Sequence, residues 1–372
     1  MVFLTMGIVD QWIFRGHWKE PHVRPAYHRR RRSIVYSAFW RFLAILLLFI
    51  SARFIYLNHP LYRGDFYAPF RQSFFPIFLK VYLLLGFPYM MATLKWRGGQ
   101  RAEFKDPALH VLIWLRAVGR MILRKGSQRH IWVNSRCKIV ALGFLVEFFY
   151  LPIMTVFLHN QFSDFSGWLT RLYGFNGSGN FSDTCYFTAY HGIYLMDVLL
   201  AMGGYAVPLR WLDNKIQSVE PTVLGWVSAL VCYPPFDMVA NTYLAYGPSS
   251  GHWLRPGMGL FTLLRVLTLV FAGIYASATM MFGTRFSNLT DRGILTRGPY
   301  GVVRHPAYIA KNLSWWCEKI STMDNPWNAL TLGLWNLIYA LRAWTEERHL
   351  RRDPVYGEYC KKVKYRFIPG LL

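Results

Sequence analysis

The sequence contains little charge, few acidic residues and little cysteine. Charged residues make up 16% of the 372 residues, and 19 Asp and Glu stand against 42 Lys and Arg. The five cysteines are scattered, without a CxxC pair and without the spacing of a metal site. These absences argue against an ordinary soluble domain, a disulfide framework and a zinc site, and we expect no bound metal.

Apolar residues are abundant instead. Hydrophobic residues make up 53% of the chain and aromatic residues 18%, which is typical of the membrane class. The formal net charge of +23 suggests a nucleic-acid-binding protein at first sight. The basic residues, however, flank the apolar runs, as the topology determinants of membrane proteins do. We therefore expect an integral membrane protein without a nucleic-acid partner.

Apolar windows of roughly 20 residues, the length that crosses a bilayer as a helix, recur along the chain. Their number predicts an all-α, polytopic helical membrane protein with about eight spans. The windows cover residues 34–57, 74–94, 138–158, 186–208, 222–245, 258–283, 307–323 and 327–344.

The distribution of Lys and Arg predicts the orientation of these spans. Residues 1–33, the loop 95–138 and the segment from Arg348 to Arg366 are all basic, whereas the loops on the other side hold few positive charges. An even number of spans with both termini in the cytoplasm fits this pattern. The protein would lie in the inner membrane of a bacterium or in the endoplasmic reticulum of a eukaryote.

The basic loop 95–138 carries eleven Lys and Arg. After Asp106, apolar residues share one helical face, and Arg116, Arg120 and Arg124 recur at every fourth position on another. One interpretation is a basic amphipathic helix that lies on an anionic lipid surface. The other is a loop that does no more than set the topology.

We divide the chain into three parts. Residues 1–33 form a cytoplasmic or interfacial segment, because the apolar start lacks the basic region and cleavage site of a signal peptide. Residues 34–264 form a membrane region whose role the sequence does not assign. Residues 265–372 form a last membrane region and its C-terminal segment, and they carry the motifs described below.

Polar residues inside the apolar windows are candidates for substrate contacts, because ionisable groups in hydrocarbon are costly. Asp197 lies in the fourth window, and Asp237 and Asn241 lie in the fifth. The Pro234-Pro235 pair beside Asp237 is expected to break the helix there. These three polar residues either contact a substrate head group, or they form a structural ion pair with Arg265 or polar contacts between helices.

A polar, Gly- and Pro-rich stretch separates the sixth and seventh windows. Gly298 begins a turn, and Pro306 suits the first position of a helix. Arg304 and His305 then lie at a helix start, where free backbone N–H groups attract an anion. The pair Glu346–Glu347 ends the last window on the same predicted side of the membrane, and we expect the two stretches to meet around a cofactor.

The C-terminal third, roughly residues 265–372, resembles the membrane-embedded methyltransferases that include isoprenylcysteine carboxyl methyltransferase and phospholipid N-methyltransferases. That family has a Gly-x-Tyr turn, then Arg-His-Pro-x-Tyr-x-Gly, a Glu-Glu pair, Tyr-x-x-Tyr and a final Val…Pro. Here Ala310 replaces the usual Gly, and Asp353-Pro354 replaces the usual Phe-Gly. The matching residues are Gly298, Tyr300, Arg304, His305, Pro306, Tyr308, Glu346, Glu347, Leu350, Tyr356, Tyr359, Val363 and Pro369.

The resemblance implies an S-adenosylmethionine-dependent methyltransferase whose site faces the cytoplasm. Its acceptor would be a membrane lipid or another membrane-associated molecule. The resemblance implies catalytic roles for Arg304, His305 and Glu346, with Arg304 suited to the cofactor carboxylate. It further implies cofactor contacts by Gly298, Tyr300, Arg304, His305, Tyr308, Glu346, Glu347 and Tyr359.

Two other functions stay open. The RHPxY motif and the ending YCKKVKYR also resemble sterol C14 and C7 reductases, which use NADPH. Those proteins have an Arg-Asp-Glu arrangement where this chain has Thr345-Glu346-Glu347-Arg348, which favours methyl transfer. A non-catalytic lipid-binding module is the third possibility. The acceptor itself is left open among lipid amines, prenylated carboxylates, phenols, lipid-linked glycans and thiols.

Overall fold

A computed structural model describes most of the chain. The predicted basic amphipathic helix and nearly all of the predicted N-terminal segment lie outside the described residues. The structure describes residues 31–96, 135–175, 177, 180–206, 214, 216–244, 258–323 and 325–371.

Within these residues the chain is helical, with one short two-stranded ladder, and the predicted all-α class is confirmed. Four described helical segments are long and apolar enough to cross a membrane, by length and composition. They correspond to the first, second, third and sixth predicted spans, and the total of eight and the orientation of the termini stay predictions. The four segments are Ile34–Asn58, Asp65–Ala92, Ile139–Tyr173 and Gly259–Arg285.

The chain divides into two compact units, with the boundary between Val156 and Phe157. The first unit contains helices α1 (Arg31–Asn58) and α2 (Phe75–Trp96) and the beginning of α3 (Ser135–Tyr173). Aromatic rings fill its core.

Tyr56 lies in the middle of that core. Its ring stacks on Phe148 with centroids 4.5 Å apart, and its hydroxyl donates to the Phe148 carbonyl at 2.7 Å. The rings of Tyr62, Phe70 and Phe75 surround it edge-on. A tyrosine is well suited to this position, because its ring is buried while its one polar atom finds a partner.

The second unit is built on three helices that pack together, α4 (Phe181–Ala206), α7 (Gly259–Phe282) and α8 (Pro306–Lys319). The buried side of α7 carries the small residues Ala272 and Ala276, which let neighbouring helices approach closely. With its 14 residues, α8 is about 21 Å long and shorter than the roughly 30 Å of a bilayer core.

The fifth predicted window is divided between two helices, α5 (Val223–Leu230) and α6 (Phe236–Tyr243). The break expected at Pro234-Pro235 is confirmed, since both prolines lie in the turn between them. The window 222–245 is therefore not one continuous helix, and its place among the membrane spans stays a prediction.

Two helices complete the second unit, α9 (Pro326–Leu350) and α10 (Pro354–Lys362). Each begins with a proline behind a capping side chain. Asn325 Oδ1 accepts from the Asn328 N–H at 3.0 Å, and Asp353 Oδ1 accepts from the Val355 N–H at 2.8 Å. The Asp353-Pro354 departure from the family pattern is thus an ordinary helix start.

A short ladder joins two loops of the second unit. Strand β1 (Ser218–Val219) pairs antiparallel with β2 (Thr290–Asp291), with Ser218 opposite Asp291. Gly293, at φ +116°, turns the chain away from β2 towards the Arg-His-Pro turn. The ladder places the loop before α5 beside the segment that leads into the candidate site.

Candidate functional site

Helix α8 begins as the sequence predicts, with His305 at the N-cap and Pro306 in the first turn. The backbone N–H groups before it are not free, however. The Arg304 N–H donates to the Tyr365 carbonyl at 3.0 Å, and the His305 N–H donates to the Arg366 carbonyl at 2.9 Å. The expectation that these two groups await an anion was wrong, because the C-terminal tail, residues 363–371, occupies them.

The Gly-x-Tyr turn is held in place by packing. Gly298 has φ +62°, and a Cβ added there would lie 3.2 Å from the Met281 side chain. Two residues later, the buried Tyr300 ring packs edge-on against Phe282. The Tyr359 hydroxyl donates to the Tyr300 carbonyl at 2.8 Å, which ties α10 to the turn.

Glu347, on α9, connects the Arg-His-Pro turn with the C-terminal tail. Its side chain is only 1% exposed, and its Oε1 accepts from Arg304 Nε at 2.7 Å and from His305 Nε2 at 3.2 Å. Its Oε2 accepts from Arg366 Nε at 3.1 Å and from Arg351 Nη2 at 3.3 Å. The structure therefore brings the Arg-His-Pro turn and the glutamate pair together on one side of the unit.

The surroundings of Glu347 fix its charge. Burial alone raises the pKa of its carboxyl group, but the hydrogen bonds from His305 and Arg304 outweigh burial and lower the pKa to about 2. The same contact raises the pKa of Arg304, although burial of the guanidinium acts in the opposite direction. Both groups are therefore ionised at neutral pH.

Arg304 also binds the tail. Its Nη1 donates to the Val363 carbonyl at 2.8 Å and to the Lys364 carbonyl at 2.6 Å. Together with the bond to Glu347, these contacts use the guanidinium for internal structure. Arg304 is thus placed to position the tail and the glutamate pair.

Glu346 has a different environment from its neighbour. It is exposed, and its Oε2 accepts from the Tyr308 hydroxyl at 2.7 Å. The Tyr308 ring is stacked on His305, with centroids 5.3 Å apart, and the Arg342 guanidinium lies 5.2 Å from the centre of the same ring. Adjacent helix positions point about 100° apart, so one glutamate faces the interior and the other faces the cleft.

A cleft with a volume of about 150 Å³ lies among α7, α8, α9, α10 and the loop that follows α7. Of the described residues that the sequence predicts to bind the cofactor, Gly298 and Glu347 are not part of the cleft lining. The predicted residues that line it are Tyr300, Arg304, His305, Tyr308, Glu346 and Tyr359.

Sequence reasoning included Glu346 but missed Arg342 and His349 in the cleft wall. Arg342, Glu346 and His349 form a charged stripe on α9, because residues three or four apart on a helix share a side. Arg342 is buried, and one of its guanidinium nitrogens donates to Asn288 Oδ1. Its place inside an apolar window could have revealed it, by the reasoning that singled out Asp197.

The predicted substrate contacts lie elsewhere. Asp197 is a described residue but is not part of the cleft lining. Its Oδ2 accepts a hydrogen bond at 2.8 Å from the hydroxyl of Tyr275, and Tyr275 does line the cleft. The alternative ion pair with Arg265 is wrong, because Arg265 pairs with Asp183 at the start of α4. Asp197 thus supports the cleft wall from behind.

Asp237 and Asn241 lie on the short helix α6 and, as described residues, are also outside the cleft lining. Asp237 is half-buried. The structure does not bring this pair together with Asp197, and a substrate contact through them stays a prediction.

Among the described residues, no group of three or more His, Cys, Asp and Glu side chains is arranged to hold a metal ion. The cleft wall has instead a mixed character, with carboxylates, arginines and tyrosine rings. Such a lining suits an organic molecule that carries both charges and a flat ring.

Residues 254–358 match the family model described as phospholipid methyltransferase. The matched segment includes the Arg-His-Pro turn, the charged stripe and the glutamate pair, and the resemblance of the C-terminal third is confirmed. Neither the curated proteins nor the solved structures give a match to the chain. Fold and family match together indicate a membrane methyltransferase.

Proposed function

We propose that the chain is an integral membrane methyltransferase that takes a methyl group from S-adenosylmethionine and transfers it to a lipid-soluble acceptor. The observation that carries this proposal is the glutamate pair, divided between two roles. Glu347 holds the Arg-His-Pro turn to the tail, and Glu346 remains exposed in the cleft beside it. Both lie in the segment that matches the methyltransferase family.

The cleft residues fit the amino-acid end of the cofactor. Arg342 and Glu346 are four residues apart on α9, so their Cβ atoms lie about 6 Å apart on one face. A carboxylate and an ammonium group on a single carbon need two opposite charges at such a spacing. We assign Arg342 to the carboxylate and Glu346 to the ammonium group, and this assignment replaces Arg304, which is bound to the tail.

Tyr308 orients Glu346. His305 stacks on the Tyr308 ring and Arg342 lies over it, so the ring is held, and its hydroxyl donates to Glu346 Oε2. We therefore assign Tyr308 and His305 to positioning the carboxylate. The cofactor contacts expected of Tyr300 and Tyr359 remain part of the proposal, with adenine as their proposed partner, since both line the cleft.

When bound, S-adenosylmethionine supplies a methyl group on a positively charged sulfur. The chain's residues would bind its charged end, hold it at a fixed place and exclude water. Glu347 and Arg304 contribute indirectly, because they keep the tail closed over the start of α8. In-line transfer needs alignment more than it needs a special reactive group on the protein.

The acceptor would reach the cleft from the bilayer. Helix α7 forms one wall of the cleft and is also one of the segments long and apolar enough to cross a membrane. The Lys and Arg distribution supports a cytoplasmic opening, where the soluble cofactor is available. A surface site of this kind allows a soluble donor to meet an acceptor that stays in the lipid.

Titration of the purified chain in detergent with S-adenosylmethionine and with NADPH tests the proposal. We expect the first to bind and the second not to bind. In Glu346→Gln, affinity should fall roughly tenfold or more, because a charge-assisted contact worth about 1.5–3 kcal/mol is lost.

The matched control is Glu358→Gln on the exposed face of α10, where Glu358 pairs with Lys361 and is 65% exposed. It should bind as the unaltered protein does. Binding of NADPH alone would favour the reductase. Binding of neither cofactor would favour a non-catalytic lipid-binding module.

A further inference from the structure

His349 is the last member of the charged stripe on α9. It lies three residues after Glu346, lines the same cleft, and is 7% exposed. The spacing puts both side chains on one side of the helix, one turn apart. The family motif does not include His349, and the proposed methyl transfer makes no use of it.

The two ring nitrogens of His349 have unequal environments. Nε2 lies 3.0 Å from Ser218 Oγ, within hydrogen-bonding distance. Nδ1 faces Glu220 Oε2 at 4.0 Å, which is too long for a hydrogen bond. Among the described residues neither of these two facing atoms has a hydrogen-bond partner, although both are buried. A proton on Nδ1 would fill this gap with an attractive contact.

The Glu220 carboxylate is fixed at its other oxygen. Oε1 accepts from the Thr222 N–H and from Arg348 Nη2, each at 3.1 Å. Gly225 lies directly beneath, and a Cβ there would be 2.3 Å from Glu220 Cγ. Glu220, which directly follows strand β1, is therefore held with its Oε2 towards His349.

The charges around His349 oppose each other. Burial comes first and lowers the pKa of the imidazole below its ordinary value near 6.5. Glu220, Asp291 and Glu346 raise it, while Arg352 lowers it further. The net effect is a neutral His349 at neutral pH, facing carboxylates that would stabilise its charged form once it takes up a proton.

We propose that the charge on His349 controls how tightly S-adenosylmethionine binds at Glu346. The inference rests on the proposed function, because it concerns the regulation of that same site. Neutral His349 leaves the Glu346 carboxylate available to the ammonium group of the cofactor. Protonated His349 puts a positive charge one turn away, which attracts Glu346 and repels the ammonium and the sulfonium.

The direction of the pH effect follows. Affinity is full at neutral pH and falls as the pH drops through the pKa of His349, which lies below 6.5. Two charges about 6–8 Å apart near a protein surface change affinity on the order of tenfold. Linkage requires the reverse effect too, so binding of the cofactor expels the proton from His349.

Calorimetric titration of the purified full chain with S-adenosylmethionine, at about pH 7.5 and about pH 5.5, tests this inference. Two buffers of different ionisation enthalpy at each pH allow the released protons to be counted. The unaltered protein should bind more weakly at the acid pH, by up to about tenfold, and should release up to one proton there.

His349→Gln keeps a group that can bond to Ser218 and removes the titration. Its affinity should be equal at both pH values, without proton release. The matched control is His191→Gln, since His191 bonds to Gln161 on α3, outside the cleft lining of the described residues. That variant should respond to pH as the unaltered protein does. His305 is intact in both variants, so it cannot account for a difference between them.

Glu220→Gln is a second variant, for the case in which His349→Gln fails to fold. It keeps an oxygen for the Thr222 N–H and removes the charge that faces Nδ1, so the acid loss of affinity should move to lower pH. Equal affinity of the unaltered protein at both pH values would overturn the inference, as would an unchanged response in His349→Gln. Absence of cofactor binding at every pH would overturn the proposed function instead.

Discussion

Replacing Glu347 with Gln should severely destabilise the second unit. The carboxylate is 1% exposed and accepts hydrogen bonds from Arg304 and His305. Gln preserves the volume but removes the charge, so the Arg304 guanidinium is left buried beside a neutral amide. Removing one partner of a buried ion pair costs about 3–5 kcal/mol.

The pKa of Glu347 gives a second route to the magnitude. Hydrogen bonds from His305 and Arg304, working against burial, bring it from 4.5 to about 2. At about 1.4 kcal/mol per unit, this corresponds to stabilisation on the order of 3 kcal/mol, in agreement with the first figure. Because the folded pKa is depressed, this stabilisation is fully present above about pH 4.5 and is lost as the pH falls towards 2.

Thermal unfolding of the purified chain, together with limited proteolysis of the tail, measures this loss. A cost of about 3 kcal/mol should lower the melting temperature by roughly 6–12 °C and make the tail accessible to protease. The control is Glu358→Gln, whose exposed pair with Lys361 is worth about 0–1 kcal/mol. Equal melting temperatures of the two variants would refute the reasoning.

Two further substitutions address smaller parts of the site. Tyr308→Phe removes the hydroxyl that donates to Glu346, and S-adenosylmethionine affinity should fall severalfold with an unchanged melting temperature; an unchanged affinity would contradict the positioning role. Gly225→Ala forces a Cβ against Glu220 and should cost about 1–3 kcal/mol by thermal unfolding, whereas Gly273→Ala on α7, with nothing within 4 Å, should be neutral or slightly stabilising. Loss of stability in both glycine variants would show that packing at Glu220 is not the cause.

The parts of the fold that follow from local rules were predictable from the sequence. The apolar windows that became the four long helices are read directly from composition and length. The break at Pro234-Pro235 and the start of α8 at Pro306 follow from the missing N–H of proline. Each of these features depends on residues that are neighbours in the sequence.

The division of labour between Glu346 and Glu347 was not predictable in the same way. Adjacent carboxylates look equivalent in a sequence, and the rotation of α9 about its own axis decides which one is buried. That rotation is set by tertiary packing, and so is the use of Arg304 by carbonyl groups of the tail almost 60 residues further on. Periodicity alone gives no information about either.

The charged residues of the cleft were partly predictable from the sequence. The spacing of Arg342, Glu346 and His349 is visible in the sequence, and helical periodicity could have placed them on one face. Their partners Glu220 and Asn288 come from distant loops and were not accessible to such reasoning. A residue's side of a helix can thus be predicted from the sequence, but its contact partner cannot.

The bonds from Arg304 and His305 to the tail have a consequence for biosynthesis. Synthesis proceeds from the N-terminal side, so α8 is made before the tail. The start of α8 lacks its partners until residues 363–366 have left the ribosome and folded back. The contacts that hold the start of α8 beside the cleft are therefore completed only after the tail has been made, and a chain that stops before residue 363 lacks them.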